Sequence, residues 1–198
     1  MALQRLGFNP SYTVEVDPEF PGDGDWGRPV FGFGRDGQLI EPRWGTRFVV
    51  AVEPDDGTPW VGMFASGIAG VTGLLGCPRP TDLCVVVDGE ASVVSVSRPD
   101  AGAEPLGHDI RQVERADGWD LLLLAGFTDL AAVGPAGVAW RSRRLGLDGL
   151  KIIKSEEDSI VCTVEHLGGV ETIAVDPVTG EQMEGTRFDS YWPPDAPA

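Results

Sequence analysis

The sequence predicts an all-β fold assembled from antiparallel hairpins, and three observations carry that reading. No segment sustains the i, i+3, i+4, i+7 apolar spacing of an amphipathic helix. Short stretches rich in β-branched and aromatic residues recur along the chain, each bounded by turn formers. Glycine and proline, 27 and 16 of 198 residues, make up about a fifth of the chain, which favours tight turns and short strands over long helices.

The first strand read from the pattern is RFVVAVE (47–53). The turn EPDDGT (53–58) leads from it into WVGMFA (60–65). Next comes GIAGVTGLLG (67–76), with glycine at every third position: Gly67, Gly70, Gly73 and Gly76. A Walker-type loop needs Lys and Ser or Thr after its last glycine, and here CPRP follows. The dinucleotide pattern G-x-G-x-x-G is absent, and the triplets lack the proline of collagen. The run therefore reads as a glycine-punctuated strand or loop, where a bulge, a bend or a close backbone approach excludes side chains.

The remaining strands read in order as LCVVVD (83–88), SVVSVS (92–97), LLLLAGF (121–127), GVAWRS (137–142), LKIIKS (150–155), SIVCTVE (159–165) and ETIAVD (171–176). SEEDS (155–159) is a turn between two of them. Four hairpin turns share one chemistry: GRDGQL holds Gly37, VVDGEA holds Gly89, VGPAGVA holds Gly137 and VDPVTGEQ holds Gly180. Glycine supplies the positive φ that such turns require. These glycines lie 52, 48 and 43 residues apart, a spacing typical of several-stranded repeats. In the last part of the chain KIIKS, SIVCTV, ETIAVD and GEQM read as four consecutive antiparallel strands.

With that spacing, DLAAVGPAGVAWRSRRLGLDGLKI and ETIAVDPVTGEQ resemble the strand–turn–strand units of quinoprotein-like β-propeller blades. The resemblance covers about half the chain and implies architecture alone. The Trp-Asp ending of WD40 repeats and the paired glycines of kelch repeats are absent. The expected architecture is a small or partial propeller-like array, or two packed sheets, in a single domain over 1–198 that divides, if at all, into halves 1–117 and 118–198.

The 31 acidic and 15 basic residues leave a net charge of −16, with the acids spread evenly along the chain. Such a balance disfavours a broad nucleic-acid-binding face, because phosphate contacts need Lys and Arg in excess. It keeps a protein soluble, and it suits a basic protein partner. The acids expected to meet one lie in turns: Asp55, Asp56, Glu156, Glu157 and Asp158. The N-terminus MALQRLGFNPSYTVEV lacks an apolar signal-like region, and three cysteines form no disulfide framework, so a cytoplasmic location is expected. The least polar stretch, 61–76, is shorter than the ~20 residues of a spanning helix, so no membrane role is expected.

No catalytic, cofactor-binding or metal-binding residue is nominated, and no cofactor is expected. His108 lies in the polar loop AEPLGHDIRQ, next to Asp109, and His166 ends a strand; both read as structural. Ser66 lacks the G-x-S-x-G elbow. Cys162 and His166 share a strand face but stand about 13 Å apart at ~3.3 Å per residue, too far for one zinc ion. Cys84 and Cys162 read as small core residues, and Cys77, before PRP, reads as the exposed thiol. Asp23 and Asp25 in PGDGDWG begin like a calcium loop, but no Glu follows at position twelve. The one basic cluster is Arg141, Arg143, Arg144, Lys151 and Lys154. On a strand Arg141 and Arg143 share one face and Trp140 and Ser142 the other. The cluster is expected to answer the molecule's own carboxylates, with an anion or partner site as its functional alternative. The function expected is a non-enzymatic protein-interaction module, immunity- or inhibitor-like in one version. The alternative is a small-ligand-binding protein or hydrolase using acidic loops at one end of the sheets. Oligomeric state is not legible.

Overall fold

The computed structural model describes residues 1–22, 24–42 and 48–188. The chain divides into two compact units between Ile110 and Arg111. The first contains β1 (Leu3–Gln4), β2 (Tyr12–Val16), β3 (Val30–Phe33), β4 (Leu39–Ile40) and β5 (Phe48–Pro54). It continues with β6 (Trp60–Phe64), β7 (Gly73–Gly76), β8 (Asp82–Val87), β9 (Glu90–Ser95) and β10 (Ala103–Gly107). The second contains β11 (Gln112–Ala116), β12 (Leu121–Ala125), β13 (Leu130–Gly134) and β14 (Gly137–Arg141). It ends with β15 (Asp148–Ser155), β16 (Ile160–His166), β17 (Gly169–Val175) and β18 (Gln182–Glu184).

The fold is all-β. Among the described residues one 3-10 turn, Pro99–Ala101, lies between strands, and the strands form four sheets, none closed into a barrel. No helix among the described residues is long and apolar enough to cross a membrane. The hairpins expected at Gly37, Gly89, Gly137 and Gly180 form, as do those at 53–58 and 155–159. Arg47, the first residue of the stretch read as 47–53, lies outside the described residues.

In the first unit the sheet β2-β5-β6-β3-β4 packs against the sheet β1-β7-β8-β9-β10. Val50, Val52, Trp60 and Phe64 meet Leu83, Val85, Val94 and Val96 in one core. Two aromatic side chains carry a polar tip across that core. Tyr12 Oη–H donates to the Asp82 carbonyl at 2.8 Å, and Trp60 Nε1–H donates to the Val96 carbonyl at 3.0 Å. Buried tips of this kind need such partners, and here they also fix how the sheets stack.

In the second unit two four-stranded meanders, β11-β12-β13-β14 and β15-β16-β17-β18, share one core. The second meander is the run of four consecutive strands read from KIIKS to GEQM. Leu123, Leu130, Ala132 and Trp140 face Ile152, Ile160, Cys162 and Val164. Gln112 ties the sheets together: its Nε2–H donates to the Ile152 carbonyl at 3.0 Å, and its Oε1 accepts from the Ile152 N–H at 2.9 Å.

The glycine run is split between two structures. Gly73 and Gly76 lie in β7, which pairs antiparallel with β8 and parallel with β1. Gly67 and Gly70 lie in a loop packed on backbone: a Cβ on Gly67 would strike the Asp88 carbonyl, and one on Gly70 would stand 2.6 Å from Gly89 Cα.

Candidate functional site

Three places gather chemistry-bearing side chains. The first is in the first unit, where the glycine loop lies against the β8–β9 turn and the loop after β10. Backbone bonds lock these segments together: Gly67 N–H to Val87 O at 2.9 Å, Gly89 N–H to Val71 O at 2.9 Å and Ile110 N–H to Gly89 O at 3.0 Å. Asp88 is held at φ 48° and accepts from Ser66 Oγ–H at 2.5 Å and Thr72 Oγ1–H at 3.2 Å. Its carboxylate thus clamps the loop. Arg35 donates through Nε–H and Nη2–H to the Ser66 carbonyl at 3.1 and 2.8 Å and lies 3.9 Å from Glu90 Oε2. A cavity of about 310 Å³ opens here, lined by Arg35, Gly67, Ile68, Glu90, His108 and Asp109. Burial pushes the Glu90 carboxyl up, against the opposing pull of Arg35 and His108. His108 and Asp109, neighbours in a polar loop, thus reach one cavity with Glu90, an association that the sequence does not signal.

The second place is the outer face of the last meander. Asp148 stands directly opposite Glu165 across β15 and β16, and Glu165 stands opposite Val170 across β16 and β17. All three are exposed. The hairpin tip beside them carries Leu167, 79% exposed, and Val170 itself is 70% exposed. On the other side of β16, His166 is buried, with Nε2 3.9 Å from Glu171 Oε2.

The third is a cleft in the second unit between edge strands β14 and β18. It has a volume of about 400 Å³, and Arg141, Arg143, Arg144 and Arg187 all line it. The basic cluster read from the sequence therefore divides. Its three arginines share this cleft, whereas Lys154 pairs with Glu156 at the β15–β16 turn. That pairing holds the Glu156 carboxyl below its usual range. Arg187 and Phe188 also line the cleft, and nothing in the sequence around them points to it. They arrive through the β17–β18 hairpin, more than forty residues along the chain.

Cys77 is corrected. It is fully buried rather than exposed, and burial raises its thiol well above the ordinary range. Although proline follows it, it continues β7 into the core beside Cys84. Cys84 and Cys162 are buried as read. Asp25 accepts from the Gly27 N–H at 2.8 Å in a local turn, and Asp23 lies outside the described residues. Among the described residues no three of His, Cys, Asp and Glu gather closely enough to hold a metal ion. The turn acids Asp55, Asp56, Glu157 and Asp158 are exposed.

A scan against protein-family models finds no match for the chain, and a search of curated proteins finds none either.

Proposed function

We propose that the protein is a non-enzymatic interaction module that presents the outer face of its last meander to a basic protein surface. The observation that carries this reading is the row Asp148–Glu165–Val170 with Leu167 at its end. Like charges set directly opposite each other on neighbouring strands oppose folding, and an apolar side chain at a hairpin tip contributes little to a core. Asp148 Oδ1 accepts from the Gly149 N–H at 2.6 Å, which is a purely local bond, and the exposed carboxylates and Leu167 together make an apolar anchor with an acidic rim. A partner with an apolar notch ringed by Lys or Arg fits that chemistry. In the same reading the two meanders are blade-like units, as the likeness to quinoprotein-like repeats implies, and the protein works in the cytoplasm.

Affinity capture from the cells of origin tests the proposal. The wild-type chain should retain a basic protein at about 0.05 M salt and release it by about 0.5 M, as the Debye length falls to a few ångströms. Leu167→Asp and Glu165→Lys should each abolish retention. Equal retention by both variants, or no basic protein retained, overturns it.

A second reading, a small-ligand site made of acidic loops, draws on the convergence of Glu90, His108 and Asp109 on the first unit's cavity. The variants above separate the two: binding through that cavity survives Leu167→Asp and is lost in Glu90→Gln.

A further inference from the structure

Glu90 opens β9 on the face that otherwise packs the first unit's core. It stands directly opposite Val87 of β8, and Val94, four residues further along β9, lies in that core beside Val87. Alternation therefore turns the Glu90 side chain inward, at the end of the sandwich. That side chain is 15% exposed and accepts no hydrogen bond from any described residue. Arg35 Nε lies 3.9 Å from Glu90 Oε2, beyond hydrogen-bond reach, because its Nε–H and Nη2–H are turned to the Ser66 carbonyl. A carboxylate held out of water in this way costs stability unless donors and a cation meet it. Burial accordingly pushes its carboxyl up.

The cavity of about 310 Å³ opens at this end of the sandwich, and Asp109 lines it together with Glu90. The Asp109 carboxylate makes no hydrogen bond or ion pair with a described residue. The glycine loop forms a further wall. Gly67 has no room for a side chain, because a Cβ there would strike the Asp88 carbonyl, so its backbone lies close on the β8–β9 turn. Ile68 then lines the cavity while 87% exposed, which sets an aliphatic side chain at the mouth. Asp88 holds the loop through the hydroxyls of Ser66 and Thr72, so this wall is in place before a ligand arrives.

Taking this cavity as a ligand site, the second reading given for it, we propose that it binds a small primary alkylamine, the ammonium facing Glu90 and Asp109 and the alkyl body lying against Ile68. An ammonium brings one positive charge and three donors, which are what the Glu90 carboxylate lacks. A neutral ligand would leave that carboxylate without a hydrogen-bonded cation, and an anion would face two carboxylates. Among the described residues no three of His, Cys, Asp and Glu gather closely enough for a metal ion, which leaves an organic cation to fill the role. His108 adds an imidazole that accepts from an ammonium when neutral. The net charge of −16 draws cations toward the molecule. The volume lies at the small end of ligand cavities and suits a ligand of few atoms.

The test is titration of the full chain with n-pentylamine, 1-pentanol and pentanoate, three head groups on similar alkyl chains, followed by amide NMR. The titrations are run at about pH 7.5, where the amine is protonated, in about 0.15 M chloride. Pentylamine should saturate with a Kd below about 5 mM and shift the amides of Gly67, Ile68, Glu90 and Asp109. Pentanol and pentanoate should bind at least tenfold more weakly. Glu90→Gln should weaken pentylamine binding at least tenfold, and Ile68→Ser, at an exposed position, several-fold. Leu167→Asp should leave it unchanged, which separates this site from the acidic face of the last meander. Pentanol or pentanoate binding as tightly as pentylamine overturns the amine assignment while leaving the cavity a ligand site. Absence of saturable binding by all three overturns the cavity reading with it. Undiminished pentylamine affinity in both Glu90→Gln and Ile68→Ser also overturns the proposal.

Discussion

The indole Nε1–H of Trp140 donates to the carbonyl oxygen of Pro177 at 2.8 Å, joining the edge strand β14 of one meander to the β17–β18 turn of the other. The same ring leaves no room for a side chain on Gly180, whose Cβ would lie 2.7 Å from Trp140 Cδ2 at a backbone φ of +73°. Trp140 thus sets the position of a turn from below while Arg141 faces outward beside it. Trp140→Phe keeps most of the apolar volume and removes the donor, leaving a buried carbonyl unsatisfied. The expected loss is about 1–3 kcal/mol in urea unfolding.

Two glycines of similar appearance should respond in opposite ways to alanine. A Cβ at Gly67 would strike the Asp88 backbone carbonyl, which cannot swing aside as a side-chain tip can. Gly168 has nothing within 4 Å of its Cβ position and no positive φ. Gly67→Ala should cost about 1–3 kcal/mol, whereas Gly168→Ala should fall within about 0.5 kcal/mol of wild type. Chemical denaturation of the two variants side by side is the measurement. An unperturbed Gly67→Ala would mean that the glycine loop can yield.

Asp82 makes stability fall with rising pH in the acid range. Its side chain is buried at the start of β8, and burial raises its carboxyl above the usual value although Arg79 lies 3.6 Å away and pulls the other way. A carboxyl that holds its proton longer in the folded state gives its full stabilisation below the unfolded value. That contribution is lost as pH rises through the unfolded value and on to the folded one. Asp82→Asn removes this slope. Its stability relative to wild type should therefore be better at pH 7 than at pH 3.5, as measured by thermal unfolding at both. A difference independent of pH would contradict the assigned shift.

The all-β character and most of the strands were legible because both rest on local physics. Alternation, β-branched runs and turn glycines act within a few residues, and so RFVVAVE, LCVVVD and SIVCTVE could be recognised without knowing their neighbours. β16 alternates inward Cys162 and Val164 with outward Thr163 and Glu165, which is the pattern of a half-buried strand. The strands that escaped notice carry weaker local signals. VFGF in β3 contains a glycine, and QVERA in β11 is half polar, held in place by the partner strand β12 rather than by its own composition.

Tertiary structure alone decided which side chains meet. Cys77 looked exposed because a proline followed it, yet the pairing of β7 with β8 carries it into the core. Arg187 joins Arg141 and Arg143 only because β18 returns to the edge of its sheet and Trp140 fixes the turn before it. Glu90 and His108 reach one cavity because the glycine loop bonds to both the β8–β9 turn and the loop after β10. The sequence by itself determined the strands, the turns and the acidic surface, since propensity, alternation and charge are properties of short segments. Convergence depends on sheet register and on packing between sheets, which set distances between residues far apart in the chain, and no pattern along the chain encodes those distances directly.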